Sequence, residues 1–273
     1  MKPAPFDYVR VKSLAEAHEV LAQEGGDAAV IAGGQTLVPL LSMRMARPKV
    51  VIDIMHVSDL GGLAIEGDAI RVGAAVRQAD LLAWPGLAKH QPLLARALPW
   101  VGHAQTRARG TVCGSIALAD PSAELPLCLL ALGGEVVLSS QAAQRSVRAA
   151  DFFQGIMSTA RNDDELIESV SFPCARAGEG FAFREFARRH GDFAIVACAA
   201  VVAKDSVRLA VGGVSDRAVA RGFPVEVGLD DALRDFAAEL DARDDLHATA
   251  DYRRELVYKL GAQTIAEARA CRV

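Results

Sequence analysis

Apolar and polar positions along this 273-residue chain change rhythm twice, dividing it into three stretches. In the first, helical and strand periods alternate. "SLAEAHEVLAQE" (13–24) spaces Leu14, Ala17 and Leu21 for one helix face behind Ser13-x-x-Glu16, a capping-box pattern. "DAAVIA" (27–32) and "KVVIDI" (49–54) read as buried strands. Proline is tolerated in a helix only in its first turn, so Pro39 requires any helix between these strands to begin near Gln35 or Thr36. The prediction is strand, glycine turn, helix, strand.

After residue 55 the pattern alters. "LAIEGDAIRVGA" (63–74) alternates around Gly67-Asp68 and predicts a hairpin. Helical stretches follow at "QADLLAW" (78–84) and "PLLARALPWVG" (92–102), then strands at "GEVVLSS" (134–140) and "LIESVSFP" (166–173). "CARAGEG" (174–180) marks the second change. Beyond it lie long strand candidates, "GFAFREFA", "FAIVACAAVVA" and "SVRLAVGGV", and a closing helix behind Thr249 in "TADYRRELVYKLGAQTIAEARA".

Two glycine-flanked loops stand out against this background. In "IAGGQTLVPLL" (31–41) Gly33 and Gly34 separate a buried strand from a helix start. Such a turn can offer bare backbone N–H groups and the positive end of a helix dipole to a phosphate, or it can simply be a tight turn. In "VGHAQTRARGTVCGSIALADPSAELPLCLLAL" (101–132), Gly110 and Gly114 flank a β-prone "TVC", Thr111 and Ser115 supply hydroxyls, and Arg107 and Arg109 lie just upstream. Pro126 again fits a first turn, making Ser122 the expected N-cap with Glu124 just inside the helix. Two such loops could hold the two ends of one elongated anionic cofactor; two ordinary turns are the alternative. No G-x-G-x-x-G occurs, so a Rossmann dinucleotide site is not supported.

Composition removes other classes. A 51% hydrophobic chain of this length can bury a sizeable core. Its 30 basic and 34 acidic residues are dispersed, leaving no basic stripe for nucleic acid. Prolines and charges occupy the start, "MKPAPFDYVR", and no stretch has the length of a membrane span, so the expected location is cytoplasmic. Cys113, Cys128, Cys174, Cys198 and Cys271 lie far apart without a C-x-x-C pair, which argues against a zinc or iron–sulfur site and against a secreted disulfide framework. The histidines are scattered too, and His18 reads as structural.

Four ordered segments, "AGGQTLVPLL", "RARGTVCGSIALADPSAELP", "DELIESVSFP" and "FREFARRHGDFAIV", closely resemble the FAD-binding medium subunit of the molybdenum hydroxylases, the group that includes carbon monoxide dehydrogenase and xanthine dehydrogenase-like enzymes. The resemblance covers nearly the whole chain. It implies an α+β fold: an FAD-binding unit of the PCMH (vanillyl-alcohol oxidase-like) type over 1–177, with α/β lobes of about 1–56 and 57–177, and a C-terminal domain of antiparallel strands and helices over 178–273. By position, Ala32, Gly33, Gly34, Gln35 and Thr36 would wrap the FAD pyrophosphate, with Leu37 and Val38 continuing that wall. Thr111, Val112, Cys113, Gly114 and Ser115 would form the second loop. Glu124 would contact the flavin ring, Leu166 or Ile167 would offer it a backbone contact, Arg184 would stand near its carbonyl edge, and Phe193 beside it.

Three positions depart from the pattern: Cys113 replaces a usual Gly, Leu118 a frequent His and Ala108 a frequent Asn. Cys113 is compatible only if its backbone avoids the left-handed region; a reactive thiol is the other reading of it. Arg188 and Arg189 either face a partner subunit or solvate a strand end. The resemblance further implies a division of labour, in which a small subunit carries [2Fe-2S] clusters, a large subunit carries molybdopterin, and FAD in this chain passes electrons to an external acceptor. A self-contained FAD oxidoreductase, such as the reductase of peptidoglycan precursor synthesis, and a flavin-free binding or scaffold protein are the alternatives.

Overall fold

The structure, a computed structural model, describes residues 2–225 and 228–272. Its first 56 residues form a small α/β unit. Strand β1 (Asp7–Arg10), helix α1 (Leu14–Glu24), β2 (Ala28–Ile31), α2 (Leu37–Ser42) and β3 (Val50–Asp53) give a parallel sheet of order β1-β3-β2. Ser13 caps α1 by accepting from the Glu16 N–H at 3.2 Å, and Glu16 reaches back to the Lys12 N–H at 2.7 Å. Pro39 sits in the first turn of α2 behind Thr36, where its missing donor costs nothing.

The middle stretch contributes β4 (Leu63–Glu66) and β5 (Ala69–Gly73), paired as the hairpin that the alternation predicts. The short helices α3 (Gln78–Ala83), α4 (Leu87–His90), α5 (Pro92–Ala97), α6 (Ala104–Arg107) and α7 (Val112–Leu118) follow, then the longer α8 (Glu124–Leu132). Next come β6 (Glu135–Ser139), β7 (Gln144–Arg148), α9 (Ala149–Phe152), the small hairpin β8 (Phe153–Gly155) and β9 (Ser158–Thr159), and β10 (Leu166–Pro173). These strands make a five-stranded antiparallel sheet of order β4-β5-β10-β6-β7. His18 on α1 is buried against this unit, its Nε2 2.9 Å from Ser139 Oγ, and burial lowers its affinity for a proton, as a packing residue requires.

Two local expectations are corrected. The "TVC" segment is the start of helix α7 rather than a strand, because Thr111 Oγ1 accepts the Gly114 N–H at 3.0 Å and caps the turn. Ser122 does not cap α8; the Asp120 carboxylate accepts the Ser122 N–H at 2.8 Å, closing a turn that leaves Ala123 at the cap position.

Beyond residue 177 the chain forms an antiparallel meander, β11 (Gly180–Phe186), β12 (Val196–Val202), β13 (Val207–Gly212) and β14 (Val219–Phe223), followed by α10 (Leu229–Glu239) and α11 (Ala250–Ala270), the latter capped by Thr249. Both faces of this sheet are buried. Phe181, Phe183, Ala197 and Ala199 face α8 and share the core of the preceding unit, whereas Ala182, Cys198, Ala200 and Leu209 face α10 and α11 in a second core. Helix α8, apolar on every side and buried from Glu124 to Ala131, is the element between the two large sheets.

Arg253 of α11 ties this assembly to the loops of the meander. Only 5% exposed, it donates to the Ile195 and Gly213 carbonyls, each at 2.6 Å, and to Asp245 at 2.6 Å. Replacing it with Met takes a donor from three carbonyls, those of Ile195, Gly213 and Arg243, and Arg253→Met is expected to lower stability in urea unfolding by about 3 kcal/mol.

Candidate functional site

A cleft of about 580 Å³ lies where the N-terminal unit, the middle unit and the loop after β11 meet. That volume falls within the usual range of cofactor sites. Strand β2 and residues 32–37 make one wall. Thr111, Cys113, Gly114 and Ser115 at the start of α7, with Gln78 and Gly110 beside them, make the floor. Glu124, Leu166, Ile167 and the segment Gly191–Phe193 close the far end.

The two glycine loops touch. A Cβ built on Gly33 would lie 2.2 Å from the Arg109 carbonyl oxygen and 2.7 Å from the Gly110 Cα, so no side chain is possible without separating the loops. Gly34 has φ +71°, the left-handed region where a β-carbon is strained. The consequence is a backbone that turns away from its own strand. Among the described residues, the N–H groups from Gly33 to Leu37 have no partner within the chain; the first paired donor is Val38, to the Gly34 carbonyl at 3.0 Å. Helices α2 and α7 are short, at 6 and 7 residues, so these unpaired N–H groups rather than a helix dipole give the wall its anion-binding character. The second loop differs, because its donors are mostly engaged: Val112 N–H bonds the Val76 carbonyl at 3.1 Å, Gly114 the Thr111 hydroxyl and Ser115 the Thr111 carbonyl at 3.3 Å.

Most residues expected from the sequence line this cleft: Ala32, Gly33, Gly34, Gln35, Thr36, Leu37, Thr111, Cys113, Gly114, Ser115, Glu124, Leu166, Ile167 and Phe193. Val38 lies one residue beyond the wall, half exposed, and Val112 points into the core. The expectation for Arg184 is corrected. It lies on the opposite side of the meander from the cleft, 44% exposed, with its Nε 2.9 Å from Glu267 of α11, which also binds Arg96. Alternation along β11 instead turns Glu185 toward α8, opposite Ala197.

Cys113 has helical backbone and a fully buried thiol whose Sγ bonds the Val72 carbonyl at 3.5 Å; burial pushes it up to about 12, so it is a packing residue and not a nucleophile. Leu118 lines the cleft, and Ala108 ends α6. Arg189 pairs with Asp192 at 3.2 Å on the exposed side of the loop after β11. Phe193, 69% exposed, stands at the rim.

The structure adds residues that spacing alone did not single out. Gln78 donates to the Thr111 carbonyl at 3.4 Å, and its Oε1 is buried in the cleft floor without a partner. Arg161, a guanidinium in the cleft wall, is anchored on the Asn162 and Glu165 carbonyls at 2.8 Å each. Glu165 is held below the usual carboxylate range chiefly by its hydrogen bonds from Arg145, at 2.6 and 2.8 Å. Glu124, 6% exposed, is instead pushed up to about 7 by burial, and Glu185 up to about 8 by burial and then by the nearby Glu124 charge. Among the described residues no group of three His, Cys, Asp or Glu could hold a metal ion, and no helix is long and apolar enough to cross a membrane.

Residues 4–175 match the FAD binding domain in molybdopterin dehydrogenase. The nicotine 6-hydroxylase medium subunit of Paenarthrobacter nicotinovorans is 37% identical, the alignment covering 99% of this chain and 99% of that protein. The fold superposes on carbon monoxide dehydrogenase from Hydrogenophaga pseudoflava, with a TM-score of 0.93 and 31% identity over 99% of this chain and 100% of that one. It superposes equally on quinoline 2-oxidoreductase from Pseudomonas putida 86, with a TM-score of 0.91 and 33% identity over 99% of each chain.

Two outcomes follow from the cleft. Gly33→Ala forces the loops apart against backbone that cannot yield, and a loss of about 1–3 kcal/mol is expected in denaturant unfolding. Gly62→Ala, whose new Cβ meets only Arg71 Nη1 at 3.6 Å, is expected to stay within about 0.5 kcal/mol. The second concerns pH. In the unfolded chain both Glu124 and Glu185 ionise in the ordinary range, so at neutral pH the folded chain holds protons that the unfolded chain has released. Their contribution is complete below the unfolded range and is lost as pH rises through about 7 to about 8. The thermal midpoint of the cofactor-free chain should therefore fall on raising the pH through that window, and a midpoint that rises there would contradict the assignment.

Proposed function

Because this chain belongs to the family of FAD-binding domains of molybdopterin dehydrogenases, we propose that its cleft holds FAD between the two glycine loops, with the pyrophosphate on the N–H groups of Gly33 to Leu37. That run of unpaired donors is the observation that carries the reading. An anion of the pyrophosphate type needs several convergent donors, and here they are available without any ordering cost at binding. The chain is the flavoprotein medium subunit of a molybdenum-containing hydroxylase or dehydrogenase; the molybdopterin and [2Fe-2S] centres reside on large and small partner subunits.

The residues fit such a cofactor in other respects. The orphaned Gln78 Oε1 accepts a hydrogen bond from a hydroxyl or amide of the ligand. Leu166 and Ile167 pair with β6 but lie beyond the stretch of β10 that pairs with β5, which begins at Ser169, so on that side their backbone can address the ring edge instead of a neighbouring strand. Glu124 stands at the same end, and Phe193 at the rim shields a ring face from water. We assign residues 1–177 to the FAD-binding unit, with two lobes of the PCMH type, and 178–273 to the C-terminal domain, whose loop between β11 and β12 brings residues 191–193 to the cleft. Bound FAD supplies exchange between one-electron donors and a two-electron acceptor. The chain's own part is to bind it, orient it and exclude water around it.

Three measurements test this reading. Cys113, the cysteine of the cleft lining, has its thiol buried against the Val72 carbonyl, so acid precipitation should release the flavin. Gly34→Val sets a branched side chain on a left-handed residue in the cradle and should abolish stoichiometric FAD; retention of FAD would remove the pyrophosphate assignment. The isolated FAD-loaded chain should pass electrons from an artificial reductant to an acceptor but oxidise no organic substrate, turnover appearing only when both partner subunits are added. Substrate turnover by the isolated chain would make it a self-contained oxidoreductase.

A further inference from the structure

The cleft lining carries a single cation. Among the described residues its charged side chains are Asp120, Glu124, Glu165, Asp192 and Arg161. Arg161 follows the β8–β9 hairpin and is half-buried. The turn that it opens is fixed from behind by Arg145, which donates to the Ala160 carbonyl at 2.6 Å and to the two Glu165 carboxylate oxygens at 2.6 and 2.8 Å. Across the turn, Arg161 Nη1 donates to the Asn162 and Glu165 carbonyls at 2.8 Å each, and the Glu165 N–H closes on the Asn162 carbonyl at 3.1 Å. The guanidinium is thereby held beside Leu166, the first residue of β10.

Two features address this guanidinium to a ligand. Its Nε and Nη2 have no partner among the described residues, and neither is sealed off from the cleft, unlike the Oε1 of Gln78. Nor does a carboxylate neutralise it. Glu165 is taken by Arg145 and by the Asn162 N–H at 2.8 Å, Asp192 binds Arg189 at 3.2 Å, Asp120 accepts the Ser122 N–H at 2.8 Å, and burial pushes Glu124 up to about 7. A guanidinium stays charged throughout the working pH range, and in a partly desolvated cleft its charge acts more strongly than it would across water.

We propose that Arg161, and not Arg184, is the cation of the flavin half of the cleft: its free N–H groups face the carbonyl edge of the ring and stabilise the negative charge that the ring acquires on reduction. This rests on the FAD reading above, in which Leu166 and Ile167 address that edge. Reduction brings two electrons from the [2Fe-2S] centres of the small subunit and one proton from solvent, so the ring passes from neutral to singly negative; Arg161 forms no bond and gives up no proton. Charge beside the ring nitrogens is one of the means by which a protein tunes a flavin, and a donor already fixed by its own turn acts without reorganisation when the charge develops.

The test is a spectroelectrochemical titration of FAD bound to the full-length chain. Arg161→Gln should lower the midpoint potential, affinity for reduced relative to oxidised FAD falling about tenfold, or about 30 mV for a two-electron couple. Arg161→Lys keeps the charge and should restore most of that shift. A potential unmoved in Arg161→Gln, with or without weaker binding of oxidised FAD, would overturn the proposal. So would an equal fall in Arg161→Lys, because charge would then not be the cause. One measurement needs no substitution and stands even where a variant folds poorly: in the reduced wild-type chain, on the acid side of neutrality, the N1 resonance of isotope-enriched FAD should be that of the deprotonated ring, and a protonated N1 would overturn the proposal. A wild-type chain that took up no FAD would remove the flavin reading itself, whereas bound FAD with an unmoved potential removes the role of Arg161 alone.

Discussion

The contact between Gly33 and the Arg109 carbonyl is the constraint on which the cleft depends. Two loops distant in sequence meet backbone to backbone, at a separation that admits a hydrogen but no β-carbon. Because the loops touch there, the chain after β2 cannot continue its ladder, and Gly34 turns it through a left-handed conformation into α2. Five consecutive residues are thereby left with N–H groups that nothing among the described residues satisfies. In an interior this would be destabilising; at the wall of a cleft it is binding capacity.

The far end of the cleft follows the opposite logic. Helix α8 must be apolar on every side because sheets pack on both of its flanks, yet its first residue is an acid. Burial of Glu124 is tolerated because burial itself pushes the carboxyl up to about 7, so that it can remain protonated. The cleft therefore has unpaired backbone donors along one wall and a buried carboxyl, Glu124, in its lining. Arg253, through the Ile195 and Gly213 carbonyls, holds the loop after β11 that completes this end.

Membership of the flavoprotein family also explains what the chain lacks. Its cysteines are dispersed in the fold: Cys113, Cys128 and Cys198 are buried apart from one another, and Cys113 packs as a small hydrophobe. A subunit devoted to holding one organic cofactor needs shape and backbone donors rather than ligating side chains. The iron–sulfur and molybdenum chemistry is correspondingly the work of its partners.

How much of this was legible in the sequence depended on whether the signal was local. The Gly33-Gly34 turn, the Ser13 and Thr249 caps, the Gly67-Asp68 hairpin and the limits of α2 around Pro39 rest on the backbone preferences of a few neighbouring residues, and the sequence by itself determined them. Motif order was enough to group both glycine loops, Glu124 and Phe193, which line one cleft. Tertiary structure alone decided the rest. The Asp120 turn displaced Ser122 from the α8 cap, Thr111 converted "TVC" into a helix start, and the orphaned oxygen of Gln78 became visible only once the loops had closed over it. The choice between Arg184 and Glu185 shows the reason most clearly. A strand with one buried face announces it by alternation, but β11 lies in a sheet buried on both sides, and "GFAFREF" is apolar at successive positions. With the two-residue period erased, nothing in the sequence says which neighbour turns toward α8; only the packing of α8 on one side and α11 on the other does.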